Sequence, residues 1–279
     1  MNPSTTLDNR FAHPFDQALQ LRAGRDEDHW LGCTSPAYAN MVGPFGGLTA
    51  AQALAGVLAH PKRLGEPVAL TVNFAAAVAD GAFDLIVRPV RTNRSTQHWT
   101  IELRQGDAVA LTGTALTALR RDSWGNDEAA MPAAPAADAT APARRRERQP
   151  VWLDRYDLRF IDGELPARFE GQEAGHRSLL WLRDAPPRPL DFTSLAALAD
   201  AFFPRLMLRR GRLAAVGSVS ITTYFHADAA QLTAVGAAHI LGEATAAAFR
   251  HGYFDQTARL WALAGPLLAS SHQIVYFKE

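Results

Sequence analysis

Cysteine is nearly absent from this 279-residue chain: Cys33 stands alone, which excludes an internal disulfide and any Cys-x-x-Cys metal or redox motif. A surplus of charge is absent too. Twenty-eight Lys and Arg offset 28 Asp and Glu. That balance argues against a general polyanion binder, nucleic acid included, and leaves room for a local basic pocket. No apolar run approaches the roughly 20 residues needed to cross a bilayer, so no membrane span is expected. Met1 to Phe15 is polar and lacks the basic-then-apolar order of a signal peptide, so the expected location is cytoplasmic. Several catalytic signatures are missing as well. There is no Gly-x-Ser-x-Gly elbow, and Gly43-Pro44-Phe45-Gly46-Gly47 fits neither the dinucleotide nor the Walker spacing. No His-Glu-x-x-His or paired His/Cys cluster suggests a metal, and no cofactor is implied. Cys33 as a nucleophile would need a base beside it, and a lone cysteine is more often inert.

What the chain does have is core-forming material: 48% hydrophobic residues against 20% charged, the balance of a globular protein. The composition changes sharply from Asn126 to Pro150, where Ala, Pro and Asp give way to Arg144-Arg145-Arg146-Glu147-Arg148. Proline blocks regular hydrogen-bonded structure, so this stretch reads as a linker, its arginines a solvated run with phosphate contact the minority alternative. It separates an N-terminal domain (1–125) from a C-terminal one (151–279), each of ordinary size.

The two pieces share an element order. In the first, Phe45-Gly46-Gly47 opens an Ala-rich helix that runs to about His60, stopped by Pro61. Strands are expected at Ala69–Ala75, Phe83–Arg91, Thr96–Gln105 and Ala108–Leu119. In the second, a helix capped by Asp191 is expected to Leu208. Strands follow at Ser218–His226, Leu232–Gly242, Ala246–Phe254, Ala258–Leu263 and Leu267–Phe277. Leu70-Thr71-Val72-Asn73-Phe74 is echoed by Ile221-Thr222-Thr223-Tyr224-Phe225, and Ala110-Leu111-Thr112-Gly113-Thr114 by Leu267-Leu268-Ala269-Ser270-Ser271. A helix followed by antiparallel strands, present twice, points to duplicated α+β domains. A nearly all-apolar helix must be wrapped on every side. A curved sheet around one helix is the hotdog arrangement, and two copies can pair their sheets edge to edge.

Specific residues then resemble the acyl-CoA thioesterase II family of double-hotdog enzymes. They are Phe45 to Leu54 at the first helix, Leu70 to Phe74, the Arg91-Thr92-Asn93-Arg94-Ser95-Thr96 turn, Leu198-Ala199-Asp200-Ala201-Phe202-Phe203-Pro204, the strand Ser218 to His226, and Leu267 to Gln273. The resemblance implies an α+β double hotdog that hydrolyses an acyl-CoA substrate, without a metal. It places the family's catalytic aspartate, hydroxyl and glutamine on Asp200, Ser218 and Gln273, with serine where the best-known members have threonine. Ser220 competes for the hydroxyl role, because strand alternation would put both serines on one face.

The chemistry needs a positioned water, an acceptor for its proton and donors for the oxyanion. Asp200 lies in an apolar segment, where desolvation should raise its pKa and make it a better base. Ser218 and Gln273 can each donate or accept, and so can fix the water. The N–H groups at Gly46 and Gly47 are the candidate oxyanion donors, and Arg94 is a candidate contact for a CoA phosphate. The plainer reading of Asp200 is a buried aspartate that serves as a cap or pairs with an arginine such as Arg205, and His98 and His272 read as ordinary strand residues. A catalytically silent acyl-CoA binder stays open as an alternative. So does a hotdog enoyl-CoA hydratase, although Arg205 stands where that family's histidine would be. Exposed sheet edges suggest self-association as a dimer.

Overall fold

A helix that is apolar all round has to be covered all round, and in both halves a sheet supplies the cover. The computed structural model describes residues 13–147, 149–263 and 265–278; most of the N-terminal stretch read above for a signal peptide lies outside them. The first half contains α1 (Pro14–Ala18), β1 (Arg22–Ala23), β2 (His29–Cys33), α2 (Gly46–Ala59), β3 (Glu66–Phe74), β4 (Ala82–Thr92), β5 (Thr96–Gln105) and β6 (Ala108–Ala118). The second contains β7 (Tyr156–Asp162), β8 (Ser178–Asp184), α3 (Phe192–Leu198), α4 (Arg205–Arg210), β9 (Ala215–Phe225), α5 (Ala229–Val235), β10 (Ile240–Thr245), β11 (Phe249–Arg250), β12 (Tyr253–Trp261) and β13 (Leu267–Lys278).

Among the described residues, all 13 strands join one sheet in the order β1-β2-β4-β5-β6-β3-β9-β13-β12-β10-β8-β7, with β11 beside β12. The order is a palindrome: β3 and β9 meet at the centre, and each strand of one half has a counterpart equally far out in the other. The central pairing runs antiparallel from Ala69↔Tyr224 to Asn73↔Ser220. Thr71 and Thr222 add a hydroxyl–hydroxyl bond of 2.9 Å across it. The Arg120 guanidinium donates to the carbonyls of Pro67, Phe225 and Ala227, fastening the same joint from one end. Inside the curve α2 and α3 lie against each other, and most residues of both are buried. This is the α+β double hotdog.

Three segments differ from the sequence expectation. The helix proposed from Asp191 to Leu208 is broken: α3 ends at Leu198, and Asp200 sits in the turn before α4. Pro204 explains the break, since it lacks an N–H and disfavours helix at the residue before it. The strand proposed at Leu232–Gly242 begins as α5. Asp228 and Gln231 form a capping box there, and Gly236 (φ 58°) ends the helix before β10. Of the strand proposed at Ala246–Phe254, β11 is a two-residue remnant. His251 and Gly252 turn with positive φ into β12, which also absorbs the strand placed at Ala258–Leu263. The strands that precede each helix, β1 and β2, β7 and β8, were not read from the sequence.

Residues 127–137 form a strap on the outer face of the second half's sheet. Met131, Ala134 and Ala137 pack on Leu179, Trp181 and Leu241. The indole N–H groups of Trp181 and Trp261 donate to the carbonyls of Pro135 and Ala129, at 2.8 and 3.0 Å. Part of the arginine run is structural, because Arg146 donates to the carbonyls of Leu165 and Pro166. The strap thus gives β8 and β10 two buried faces where the sequence offers no alternation. Replacing Trp181 with Ala should lower the stability of the fold by about 3–5 kcal/mol, read as a fall in the urea midpoint.

Candidate active site

The helix α2 begins at Gly46 behind Phe45, a residue with no side-chain acceptor for the free N–H groups of the first turn. Asp200 supplies that acceptor from the other half: its carboxylate receives the Gly47 N–H. Space is tight. A Cβ on Gly46 would stand 3.0 Å from Asp200 Oδ2 and 3.4 Å from the Phe74 ring. One on Gly47 would meet the Phe45 ring at 2.5 Å and the Ala197 carbonyl at 2.6 Å. Two consecutive glycines let the helix start and the aspartate turn close on each other.

The structure brings the expected trio together. Gln273 Nε2 donates to Asp200 Oδ1 at 2.9 Å, and Gln273 Oε1 accepts from the Ser218 hydroxyl at 3.3 Å. Gln273 is 2% exposed and bridges the other two. Burial pushes the Asp200 carboxyl up to about 7, against the opposing hydrogen bonds from Gln273 and Gly47. The pairing with Arg205 does not occur. Arg205, fully buried, donates instead to the Phe203 carbonyl, to Gln256 Oε1 at 3.2 Å and to Ser178 Oγ at 2.6 Å. Burial lowers its pKa to about 9.

The two serines do not share a face. Ile274 pairs with Ser220 and Val275 with Ser218, so Val219 is an extra residue that breaks the alternation. Ser220 lies opposite outward-facing Ile274, whereas Ser218 lies opposite inward-facing Val275 and reaches Gln273. Arg94 stands apart from the trio, in the exposed turn between β4 and β5, with β5, β6 and β3 intervening before β9. His98 is exposed; His272 is also exposed and lies 3.8 Å from Asp255.

Sequence reading missed the residues that hold the turn. The Ser271 hydroxyl donates to the Ala199 carbonyl at 3.1 Å, tying the residue before Asp200 to the strand that carries Gln273. Strand alternation puts Ser271 and Gln273 on one face, a signal that was available. Gln256 is directly opposite Gln273 on β12 and receives Arg205, which secures Phe203 on the far side of the turn. Gly47→Ala is expected to cost about 1–3 kcal/mol through overpacking. Gly125→Ala, with nothing near its Cβ position, should be neutral, and thermal melts of the pair check the difference.

Comparison with known proteins bears on the family and the fold. Residues 35–118 match the acyl-CoA thioesterase N-terminal domain and residues 126–277 the acyl-CoA thioesterase C-terminal domain. A conserved hot dog-fold protein of unknown function from Alicyclobacillus acidocaldarius is 42% identical, covers 96% of this chain and 98% of its own, and superposes with a TM-score of 0.90. The acyl-CoA thioesterase II TesB2 of Mycobacterium marinum shares 18% identity over 95% and 96% of the two chains, with a TM-score of 0.73. The tesB protein of Mycobacterium avium subs paratuberculosis shares 17% over 95% and 98%, with a TM-score of 0.74. No curated protein sequence is significantly similar to the chain. Matched along both halves by the paired domains of one family, the chain belongs to the acyl-CoA thioesterases and is a thioester hydrolase.

Proposed function

We propose that the protein hydrolyses an acyl-CoA to the free acid and coenzyme A with water activated by Asp200, Ser218 and Gln273. The observation that carries this reading is a carboxyl with a pKa near 7, bonded to both the Gln273 amide and the helix start of the opposite half. A base in that range is partly ionised at neutral pH and holds a proton well enough to pass it on.

In the proposed sequence the water oxygen attacks the thioester carbonyl carbon while its proton moves to Asp200. The carbonyl oxygen, now an oxyanion, turns toward the first turn of α2. There the Gly47 N–H is engaged with Asp200, so the neighbouring Gly46 N–H is the favoured donor, aided by the positive end of the helix dipole. Collapse of the tetrahedral intermediate breaks the C–S bond, and the thiolate takes the proton from Asp200. Gln273 keeps the carboxylate in place, and the Ser218 hydroxyl orients the water with it. Arg94 has no part in this scheme. Each half supplies what the other lacks, which favours a single site per chain.

Thiol release from a panel of acyl-CoAs, read with a thiol-reactive dye, tests the activity. Asp200→Asn should lower kcat by about 10²–10⁴, the usual worth of a general base. Turnover unchanged by that substitution would defeat the assignment. Ser218→Ala should cost about five- to tenfold, in line with one hydrogen bond, whereas Ser220→Ala should leave kcat intact.

Ionisation of Asp200 also fixes two pH dependences. The rate should climb with pH through about 7 and level off above it, because the ionised form is the base. Stability should move the other way. The folded pKa lies above the ordinary 3.8, so the folded state binds the extra proton and loses stability as pH rises from 3.8 to about 7. Asp200→Asn should therefore raise Tm at pH 8 and leave it unchanged near pH 4.

A further inference from the structure

A cavity of about 260 Å³ lies where the segment after the strap meets β7, and the mechanism above makes no use of it. Its rim carries exposed Arg144 and Arg145 and half-buried Gln149, and its floor includes buried Tyr156 and Leu158 and half-buried Phe203. The lining sets Arg144 and Arg145 against Asp154 and Asp157. Asp154 is already bonded to Arg145 at 3.0 Å and to Gln149 at 2.9 Å. Asp157 already accepts hydrogen bonds from Arg159 and Arg183 and is bonded to His239. Among the described residues no carboxylate pairs with the Arg144 guanidinium. An apolar, partly aromatic floor beneath the Arg144 guanidinium suits a ligand with a flat heterocycle and phosphate groups.

The cavity is also close to the reacting groups. Phe203 belongs to the turn that carries Asp200, and three residues reach at most about 11 Å. Tyr156 packs edge-on against Phe45, 5.9 Å between ring centres, and Phe45 directly precedes Gly46. The Tyr156 hydroxyl is buried without a hydrogen-bond partner among the described residues, a polar group awaiting one. The extended pantetheine arm of coenzyme A is long enough to cover that reach.

We propose that this cavity binds the adenosine 3′-phosphate end of coenzyme A, its phosphates against Arg144 and Arg145 and its adenine on the floor formed by Phe203 and Leu158. The proposal rests on the thioesterase reading above and gives the segment after the strap a task of its own. It also predicts that substrates are distinguished by their carrier as well as by their acyl group.

The test compares an acyl-CoA with the same acyl group on N-acetylcysteamine, which lacks the nucleotide. The double variant Arg144→Glu/Arg145→Glu alters exposed side chains, and an unchanged melting curve will confirm that it folds. Its kcat/KM for the acyl-CoA should fall about tenfold or more, the scale of one lost charge-assisted contact, through KM. Its kcat/KM for the N-acetylcysteamine thioester should stay within about twofold. Adenosine 3′,5′-bisphosphate should compete with acyl-CoA in the parent protein and not in the variant. Equal effects on both thioesters, or inhibition that survives the substitutions, would overturn the proposal. If the parent protein cleaves neither thioester, the hydrolase reading fails separately. Equilibrium binding of adenosine 3′,5′-bisphosphate then still decides the cavity, upheld by binding lost in the variant and refuted by binding that is absent or unchanged.

Discussion

A carboxylate from one half caps the helix of the other, and the geometry of the site follows from that contact. The α2 helix starts on Phe45, Gly46 and Gly47, none of which can satisfy the free N–H groups beside it. Asp200 reaches across and receives the Gly47 N–H. The counterpart helix, α3, is finished locally: Asp191 accepts from the Ser194 N–H and the Thr193 hydroxyl and is held by Arg188. Burial pushes Asp191 up, but the Arg188 guanidinium together with the Ser194 N–H and the Thr193 hydroxyl outweighs it and holds the carboxyl below its usual range. Asp200 has no such cation, and burial prevails. Two carboxylates at two helix starts are therefore held differently, one kept below the usual carboxylate range and the other raised by burial.

The difference depends on how the Asp200 turn is held. Ser271 anchors Ala199 on one side of Asp200, and Arg205 anchors Phe203 on the other. Gln273 then meets a carboxylate whose position is already set. A helix continuing past Leu198 would have carried Asp200 around its own axis. Pro204 and these two anchors make a turn of it, and the turn delivers the carboxylate to α2. The β-bulge at Val219 makes a parallel adjustment on the facing strand, bringing the Ser218 hydroxyl inward where plain alternation would have grouped it with Ser220.

Much of this was legible in the residues. The apolar helix behind Phe45-Gly46-Gly47, the strands β3 to β6 and the long β13 announced themselves by periodicity and turn residues. Asp200 and Gln273 stood out as polar groups in apolar runs. What the sequence hid has physical causes. The short β1 and β2 carry too little alternation to read, β8 is covered on both faces because a Pro-rich strap lies across it, and β7 was missed although Tyr156-Asp157-Leu158-Arg159-Phe160 alternates. At α5 the Asp228–Gln231 capping box prevailed over an apolar run that looks like a strand. The bulge at Val219 leaves no mark in composition, and a register shift of one residue reverses every side chain beyond it. Contacts made across the seam, such as Asp200 to Gly47 and Tyr156 to Phe45, depend on how the two halves meet, which local pattern does not specify.

The central pairing of β3 with β9 has one more consequence. If the two halves were separate molecules, their shared site would exist only as long as they stayed associated, and it would be lost on dilution. Joined by residues 126–150, they face each other at an effective concentration set by the tether, of order millimolar for a short one. The site's integrity is therefore independent of how much protein the solution holds.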